Sequence, residues 1–318
     1  MIAYITRRLI QAVFILIIVS VIVFLVIRLL PGDPILIYLS HSNAEALTPE
    51  QIAIVRHEFG LDKPLPVQYF DWISGLSRGD FGTSIHYRQS VGMLLSERLP
   101  VTLHLGLLSF VLGAVAGILM GLVAALRRAS WLDTVTTTLA NFGISAPNFW
   151  LGILLIYAFG LQLGWLPIYG YTSPFEDFWL STRQLIMPVL VLAAFSLTSI
   201  ARQTRSSMLE VIRQDYVRTA WAKGLQERVV VSRHIVKNGL IPVITLMGIQ
   251  FSHILGGAVI IENVFSIPGM GRLMVEGLFA QDYQIIQAGI LISAAMVVIA
   301  NLIVDISYGW IDPRIRYG

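Results

Sequence analysis

The sequence predicts an all-α polytopic membrane protein with six transmembrane helices and a folded extracytoplasmic insertion between helices 1 and 2. Three observations carry this. Of 318 residues 56% are hydrophobic and only 13% charged, about half the roughly 25% charge of a soluble domain. Six apolar runs are long enough to cross a bilayer, which takes about 20 residues each. The Lys and Arg residues fall on alternate connections between those runs. Together these exclude disorder, nucleic-acid binding and a single solvated globule, because a chain with mean hydropathy +0.74 cannot supply a polar exterior. With no cysteine, disulfide frameworks, thiolate metal sites and cysteine nucleophiles are excluded as well.

The first span is Leu9 to Leu30, interrupted before Arg28 only by Gln11 and Ser20. Arg7 and Arg8 ahead of an apolar run would also suit a signal peptide. However, Pro31-Gly32-Asp33-Pro34 follows in place of a small-x-small cleavage pattern, so an uncleaved span is expected. Five more spans follow at about Val101–Leu126, Thr134–Leu163, Gln184–Arg202, Pro242–Glu262 and Ile285–Ser307. Pro147 predicts a kink or break inside the third, since it removes a backbone donor. Gly113, Gly117 and Gly121, and again Gly248, Gly256 and Gly257, read as places where helices approach closely in lipid.

Orientation follows from the basic residues. One side holds Arg7, Arg8, Arg127, Arg128, eight residues between Arg202 and Lys237, and Arg314 and Arg316; the opposite short loops hold Arg183 and Arg272. Both termini are therefore expected on the cytoplasmic side of the cell inner membrane. The expected divisions are a first helix over 1–30, an extracytoplasmic subdomain over 31–100 and a helical core over 101–318.

Two connections carry local signals. In the external one, Thr48-Pro49-Glu50-Gln51 reads as the start of a helix that Gly60 ends, and Val67–Leu76 reads as a second short helix. This predicts a folded subdomain, suited to docking a partner, covering a pathway or simply capping the core. In the internal one, about 202–241, Asp215 is placed to cap a short helix that Gly224 stops, with Lys223 in its last turn. Between them Tyr216-Val217-Arg218-Thr219-Ala220-Trp221-Ala222 offers small, aromatic and basic side chains, suited either to another protein's groove or to anionic lipid.

At these residues the chain resembles the membrane permeases of ABC importers, in their peptide/nickel branch. Arg205-Ser206-Ser207-Met208-Leu209-Glu210 followed by Asp215 to Leu225 is similar to that branch's form of the Glu-Ala-Ala…Gly loop that docks on the ATPase subunit. The general Glu-Ala-Ala is replaced by Arg218, Thr219 and Ala220, and the usual Ile-x-Leu-Pro end by His234-Ile235-Val236-Lys237; both departures resemble the branch itself. Arg7-Arg8-Leu9, Leu30 to Pro34, Gly60 to Pro64, Glu262 to Arg272 and Asp312 to Arg316 extend the resemblance from end to end. The long external loop resembles that of the first of two permeases, and Ser145 to Trp150 with Gly164 to Pro167 look more like the nickel and metal-chelate side.

The resemblance implies type I ABC importer permease architecture and transport of peptides or nickel and metal chelates by alternating access. The implied partners are a second homologous permease, two ATPase subunits and an extracytoplasmic binding protein, besides membrane lipid. ATP and Mg are expected in the ATPase subunits, with no cofactor on this chain. Asp215, Tyr216, Arg218, Thr219, Ala220, Lys223, Gly224 and Leu225 are the implied ATPase-coupling residues. Asn141, Pro147, His253, Glu262 and Asn263 are candidates for a pathway or gate, since polar groups within spans are costly and often functional; Asp305 is a further such polar group.

What is missing fits a transport subunit better than an enzyme. The three lysines follow Asp62, Ala222 and Val236, so no Gly-Lys pair and no phosphate-cradling loop exists. The six histidines form no i, i+4 pair, and no metal site is expected. No nucleophile setting such as Gly-x-Ser-x-Gly appears. The alternative is an ion-gradient-driven secondary transporter, which would want paired membrane carboxylates and an inverted repeat; the spans offer Asp305 alone.

Overall fold

The computed structural model describes residues 2–29, 53–54, 56–57, 60 and 62–311, without the side chains of 2–4, 139–145 and 305–311. The Thr48–Gln51 helix start, the Pro31–Pro34 turn and the basic residues Arg314 and Arg316 lie outside the described residues. So do the side chains of Asn141 and Asp305.

Among the described residues the regular elements are all helices, apart from one antiparallel bridge, Thr83 to Ser90. The principal helices are α1 (Ile2–Leu29), α2 (Leu65–Ser77), α3 (Val91–Leu126), α4 (Trp131–Ser145), α5 (Asn148–Leu155), α6 (Phe178–Ile212), α7 (Asp215–Ala222), α8 (Ile241–Val264), α9 (Met270–Phe279) and α10 (Tyr283–Ile311). Five are long and apolar enough to cross a membrane: α1, α3, α6, α8 and α10.

The third predicted span is the exception, and the reason is Pro147. Its ring disfavours helical geometry at Ala146, and it donates no hydrogen bond. Helix α4 therefore ends at Ser145, and Pro147 restarts the chain as the N-cap of α5, accepting from Leu151 N at 3.1 Å. Helix α5 continues as a π-helical turn over Ile156–Gln162. Thr134–Leu163 is thus two shorter pieces, and among the described residues five helices, not the expected six, are long and apolar enough to span.

Span limits differ too. Helix α3 begins at Val91, ten residues before the predicted span, and those ten residues fall in the same compact unit as the insertion. Pro100 sits inside α3, and Pro188 inside α6. At 36 and 35 residues these helices run to about 50 Å, beyond the roughly 30 Å hydrocarbon core.

The chain divides into two compact units. One comprises residues 1–8, 102–267 and 297–318. In it α6 packs against both α4 and α8. The glycine stripe of α3 lies on α6: a Cβ at Gly117 would meet Leu197 O at 2.7 Å and Ile200 Cβ at 2.9 Å, and Gly113 and Gly121 are pressed equally against Ser196 and Ala201. Gly248 is closed by Val304 and Gly257 by Leu192, whereas Gly256 has open space. Close packing therefore accounts for five of these six glycines.

The other unit comprises residues 9–101 and 268–296 and contains the folded part of the insertion. Helix α2, predicted over Val67–Leu76, docks on α1 through Phe24, whose ring meets Tyr69 edge-on at 5.4 Å and stacks on Trp72 at 6.1 Å. Val91, Leu94, Leu95, Met270, Leu273, Ile285 and Ala288 form its core. The loop before α3 is held by Asp282, fully buried, which accepts from Ser84 Oγ at 2.6 Å and His86 N at 2.9 Å. Tyr87 donates to Glu276 Oε2 at 2.8 Å, and Arg272 Nε donates to Oε1 at 2.8 Å. Burial, reinforced by the Glu276 carboxylate, pushes the Tyr87 phenol up to about 12.

Candidate functional site

The internal connection folds as its local signals require, with one change at its start. Helix α7 begins at Asp215 itself, after Gln214 in extended geometry with no side-chain cap. Asp215 is the first helical residue and acts on the exposed N–H groups through its charge, not as the cap. The C-terminus is a Schellman motif. Gly224 is left-handed at φ +72°; its N–H donates to Trp221 O at 2.9 Å, and Leu225 N–H reaches back to Ala220 O at 3.4 Å.

An eight-residue helix is too short to persist by itself, so tertiary packing must hold it. Val217 and Ala220 supply the anchor, one turn apart and buried against Ala125, Met208, Val230 and Ile235. Burying those two turns the opposite face outward. Tyr216 and Trp221 are each 44% exposed, large for aromatic rings, and the Arg218 and Asp215 side chains reach solvent at 73% and 96%. Thr219 and Lys223 are exposed with them. Of the eight residues implied as coupling residues, Ala220 thus faces inward and fixes the helix, while Trp221, outside that set, is its second exposed aromatic.

Below this helix an ion pair ties two elements that the sequence keeps 72 residues apart. Arg205 near the end of α6 donates to Asp133 Oδ1 from Nε at 2.7 Å and to Oδ2 from Nη2 at 2.9 Å. Asp133 also accepts from Ala129 N at 3.1 Å, and Ser130 Oγ receives Asp133 N at 3.4 Å, a variant of the capping box at the start of α4. The Ser130-x-x-Asp133 spacing was the available sequence signal for it. Arg205 and the second hydrogen bond hold the Asp133 carboxyl down at about 2, against desolvation that opposes it.

Because that carboxyl is depressed in the folded state, its stabilising contribution is complete above the unfolded value near 3.8 and vanishes as pH falls toward about 2. With Arg205 a third exposed, screening limits the effect to about 1–2 kcal/mol. Asp133→Asn should lower the thermal midpoint of the purified protein at pH 7 and remove that acid-side slope. An unchanged midpoint would show the pair to be dispensable.

Of the pathway candidates, His253, Glu262 and Asn263 lie on α8, and Pro147 caps α5, which packs against α8. Glu262 is fully buried near the end of α8 and accepts from Thr102 Oγ1 at 2.6 Å, across 160 residues of sequence. His253 lies nine positions earlier on α8, half a turn out of phase with Glu262, and meets the Phe195 ring edge-on at 6.0 Å. Asn263 spends its amide on its own helix, donating to Val259 O at 2.7 Å. Pro147 marks the break between α4 and α5. Among the described residues no group of three His, Asp or Glu side chains is placed to hold a metal ion.

Comparison with known proteins places this arrangement. Residues 117–317 match the family model described as binding-protein-dependent transport system inner membrane component, and residues 1–106 match the N-terminal model of the same kind of component. The chain is 43% identical over 320 residues to a putative peptide transport system permease protein of Brucella abortus (strain 2308), covering all of both chains. It is 42% identical over 317 residues to the glutathione transport system permease protein GsiC of Salmonella choleraesuis (strain SC-B67), again covering all of both. Among solved structures, a chain of the MetNI methionine ABC transporter in an inward-facing conformation matches with TM-score 0.58 at 16% identity, over 69% of this chain and 97% of that one. That likeness bears on the fold.

Proposed function

This chain belongs to the family of binding-protein-dependent transport system inner membrane components, and from that membership we propose that α7 is the surface through which a separate ATP-hydrolysing subunit drives it. It is a permease subunit of a binding-protein-dependent ABC importer, a multi-pass inner membrane protein of type I permease fold. Membership sets aside the ion-gradient-driven alternative.

The observation that carries the proposal is the division of α7 between a buried pair, Val217 and Ala220, and an outward face bearing Tyr216, Arg218, Trp221 and Lys223. Exposed aromatics beside basic side chains, on a helix fixed from beneath, are the composition of a protein-binding hot spot. On this reading α7 lies on the cytoplasmic side with both termini, consistent with the basic residues concentrated around it. One such helix serves one motor subunit, so two ATPases imply a second, homologous permease chain, and a binding protein delivers substrate from the far side. ATP and Mg act in the motor subunits, and this chain carries no cofactor of its own. For the substrate we infer peptides, glutathione included, because the two relatives matched end to end bear peptide and glutathione names. The likeness of Ser145 to Trp150 and Gly164 to Pro167 to the nickel and metal-chelate side is the weaker signal beside these full-length relatives.

Co-expression with its partner subunits provides the test. A chain carrying Tyr216→Ala and Trp221→Ala should recover its P-loop ATPase at least about tenfold less well in affinity purification, the loss typical of one or two hot-spot aromatics. It should also lose uptake while remaining in the membrane. Equal ATPase recovery and equal uptake would overturn the assignment of α7. Thermal shift of the cognate binding protein against di- and oligopeptides, glutathione and nickel chelates tests the substrate class separately.

A further inference from the structure

The unit built from residues 9–101 and 268–296 contains a cavity of about 190 Å³ on whose wall stand Arg28, Trp72 and Gln287. Each of these presents a buried N–H with no acceptor: Arg28 Nε, Trp72 Nε1 and Gln287 Nε2. Gln287 is 1% exposed. Orphaned buried donors are rare in folded proteins, and three on one cavity are a pattern. All three donate and so call for acceptor oxygens, while the buried amide oxygen of Gln68 shares the same wall and suits a donor.

Charge narrows the partner further. The Arg28 guanidinium lies near the rings of Phe24 at 5.4 Å and Tyr283 at 5.9 Å, and neither neutralises it. Two carboxylates share the cavity wall, but neither is ion-paired with Arg28: Asp71 pairs with Lys63 Nζ at 2.7 Å, and Asp80 accepts from the Gly82 N–H at 2.9 Å. Water would satisfy the hydrogen bonds without supplying the countercharge that a half-buried, unpaired cation favours. An anion does both, with charge-assisted bonds.

The place identifies its source. Arg28 sits in the last turn of α1, where Ile27 is buried at 2% while Leu25, Val26 and Leu29 are exposed at 42%, 53% and 78%. Those side chains are lipid-facing in a membrane helix. The apolar run of 25 residues is about 37 Å long and so ends at head-group depth, where Arg and Trp are at home. We propose that this cavity holds the phosphate of a membrane phospholipid, with Arg28 supplying the countercharge and Trp72 and Gln287 the hydrogen bonds. The acyl chains then lie along α1, and the head group pins α2 and α10 to its end.

Native mass spectrometry of the full-length protein, released from membranes in mild detergent, should show retained phospholipid. Arg28→Met should retain it about tenfold or more less well, as expected for losing a charge-assisted hydrogen bond. Trp72→Phe keeps the ring that stacks on Phe24 and deletes only the N–H; it should weaken retention about threefold or more and serves where Arg28→Met fails to fold. Adding phosphatidylglycerol or phosphatidylethanolamine to delipidated protein should raise its thermal midpoint, and raise that of Trp72→Phe less. Equal retention by wild type and a folded variant would overturn the proposal, and so would wild-type protein that holds no lipid. Stabilisation by inorganic phosphate equal to that by phospholipid would assign the cavity to free phosphate instead and overturn the lipid assignment. None of these readouts involves ATP or transport, so their failure is distinct from failure of the α7 assignment.

Discussion

Replacing Gly224 with valine is expected to abolish transport while the protein inserts and accumulates normally. Gly224 stands at φ +72° with open space where a Cβ would be, so the obstacle is backbone conformation and not crowding. A non-glycine residue in left-handed geometry costs about 1–2 kcal/mol, and a β-branched one is worse still. That energy is set against a helix of eight residues, which has little propagation energy of its own. Relaxing Gly224 out of the left-handed region breaks both closing bonds, to Trp221 O and from Leu225 N to Ala220 O, and turns the outward face away. A graded series makes the argument specific: Gly224→Asn should keep most uptake, Gly224→Ala less, and Gly224→Val essentially none, following left-handed tolerance and not side-chain size. Uptake by the valine variant at the wild-type rate, with equal membrane levels, would mean that the motif is not needed for coupling.

The second large effect is expected at Gly117. A leucine there would drive its Cβ to 2.7 Å from Leu197 O and 2.9 Å from Ile200 Cβ, positions fixed by the backbone of α6, so the helices must part. Overpacking of this kind costs roughly 3 kcal/mol, and in lipid no hydrophobic term compensates, since helix association there depends on close contact. Gly117→Leu should therefore yield little folded protein by size-exclusion chromatography in detergent, and Gly117→Ala should show a clearly lowered thermal midpoint. Gly256→Ala is the matched comparison. It has nothing within 4 Å, and alanine favours helix over glycine by about 1 kcal/mol, so its midpoint should hold or rise. If Gly117→Ala and Gly256→Ala behave alike, the glycine stripe is not a packing device.

These two glycines also show which parts of the molecule sequence reasoning reaches. Gly224 was readable because everything that defines α7 is local: an acid at its first turn, small residues within, a glycine after. Only the exact role of Asp215 was misplaced, by one position. The start of α3 was not readable. Glu97, Arg98 and Pro100 look like the end of a loop, and only the burial of Val91, Leu94 and Leu95 against Met270 and Leu273, 170 or more residues away, makes those ten residues helical. Asp133 with Arg205, and Thr102 with Glu262, are likewise pairings between distant segments that no spacing announces. The stripe of Gly113, Gly117 and Gly121 lies between these cases: its period announced close contact, but not that α6 was the neighbour. The pathway candidates are read in the same incomplete way. Polar character in a span was legible, whereas the helical phase that separates His253 from Glu262 has meaning only once α8 has neighbours.

Helix α6 is one element from Phe178 to Ile212, held between Ala193 and Arg205 by the α3 glycines and followed after two residues by α7. Mechanically it is a lever whose fulcrum lies in the glycine-packed stretch around Leu197 and Ile200. From there to Ile212 is about 18–22 Å, so a rocking of roughly 6° displaces the α7 end by about 2 Å, comparable to the helix shifts by which other switching proteins change state. A gearing of this kind works in both directions. A load on the longer arm of α6, about 28–33 Å from that stretch to Phe178, would reach α7 at roughly two-thirds of its amplitude, so that on the proposed role of α7 events at that end would bear on the ATPase subunit.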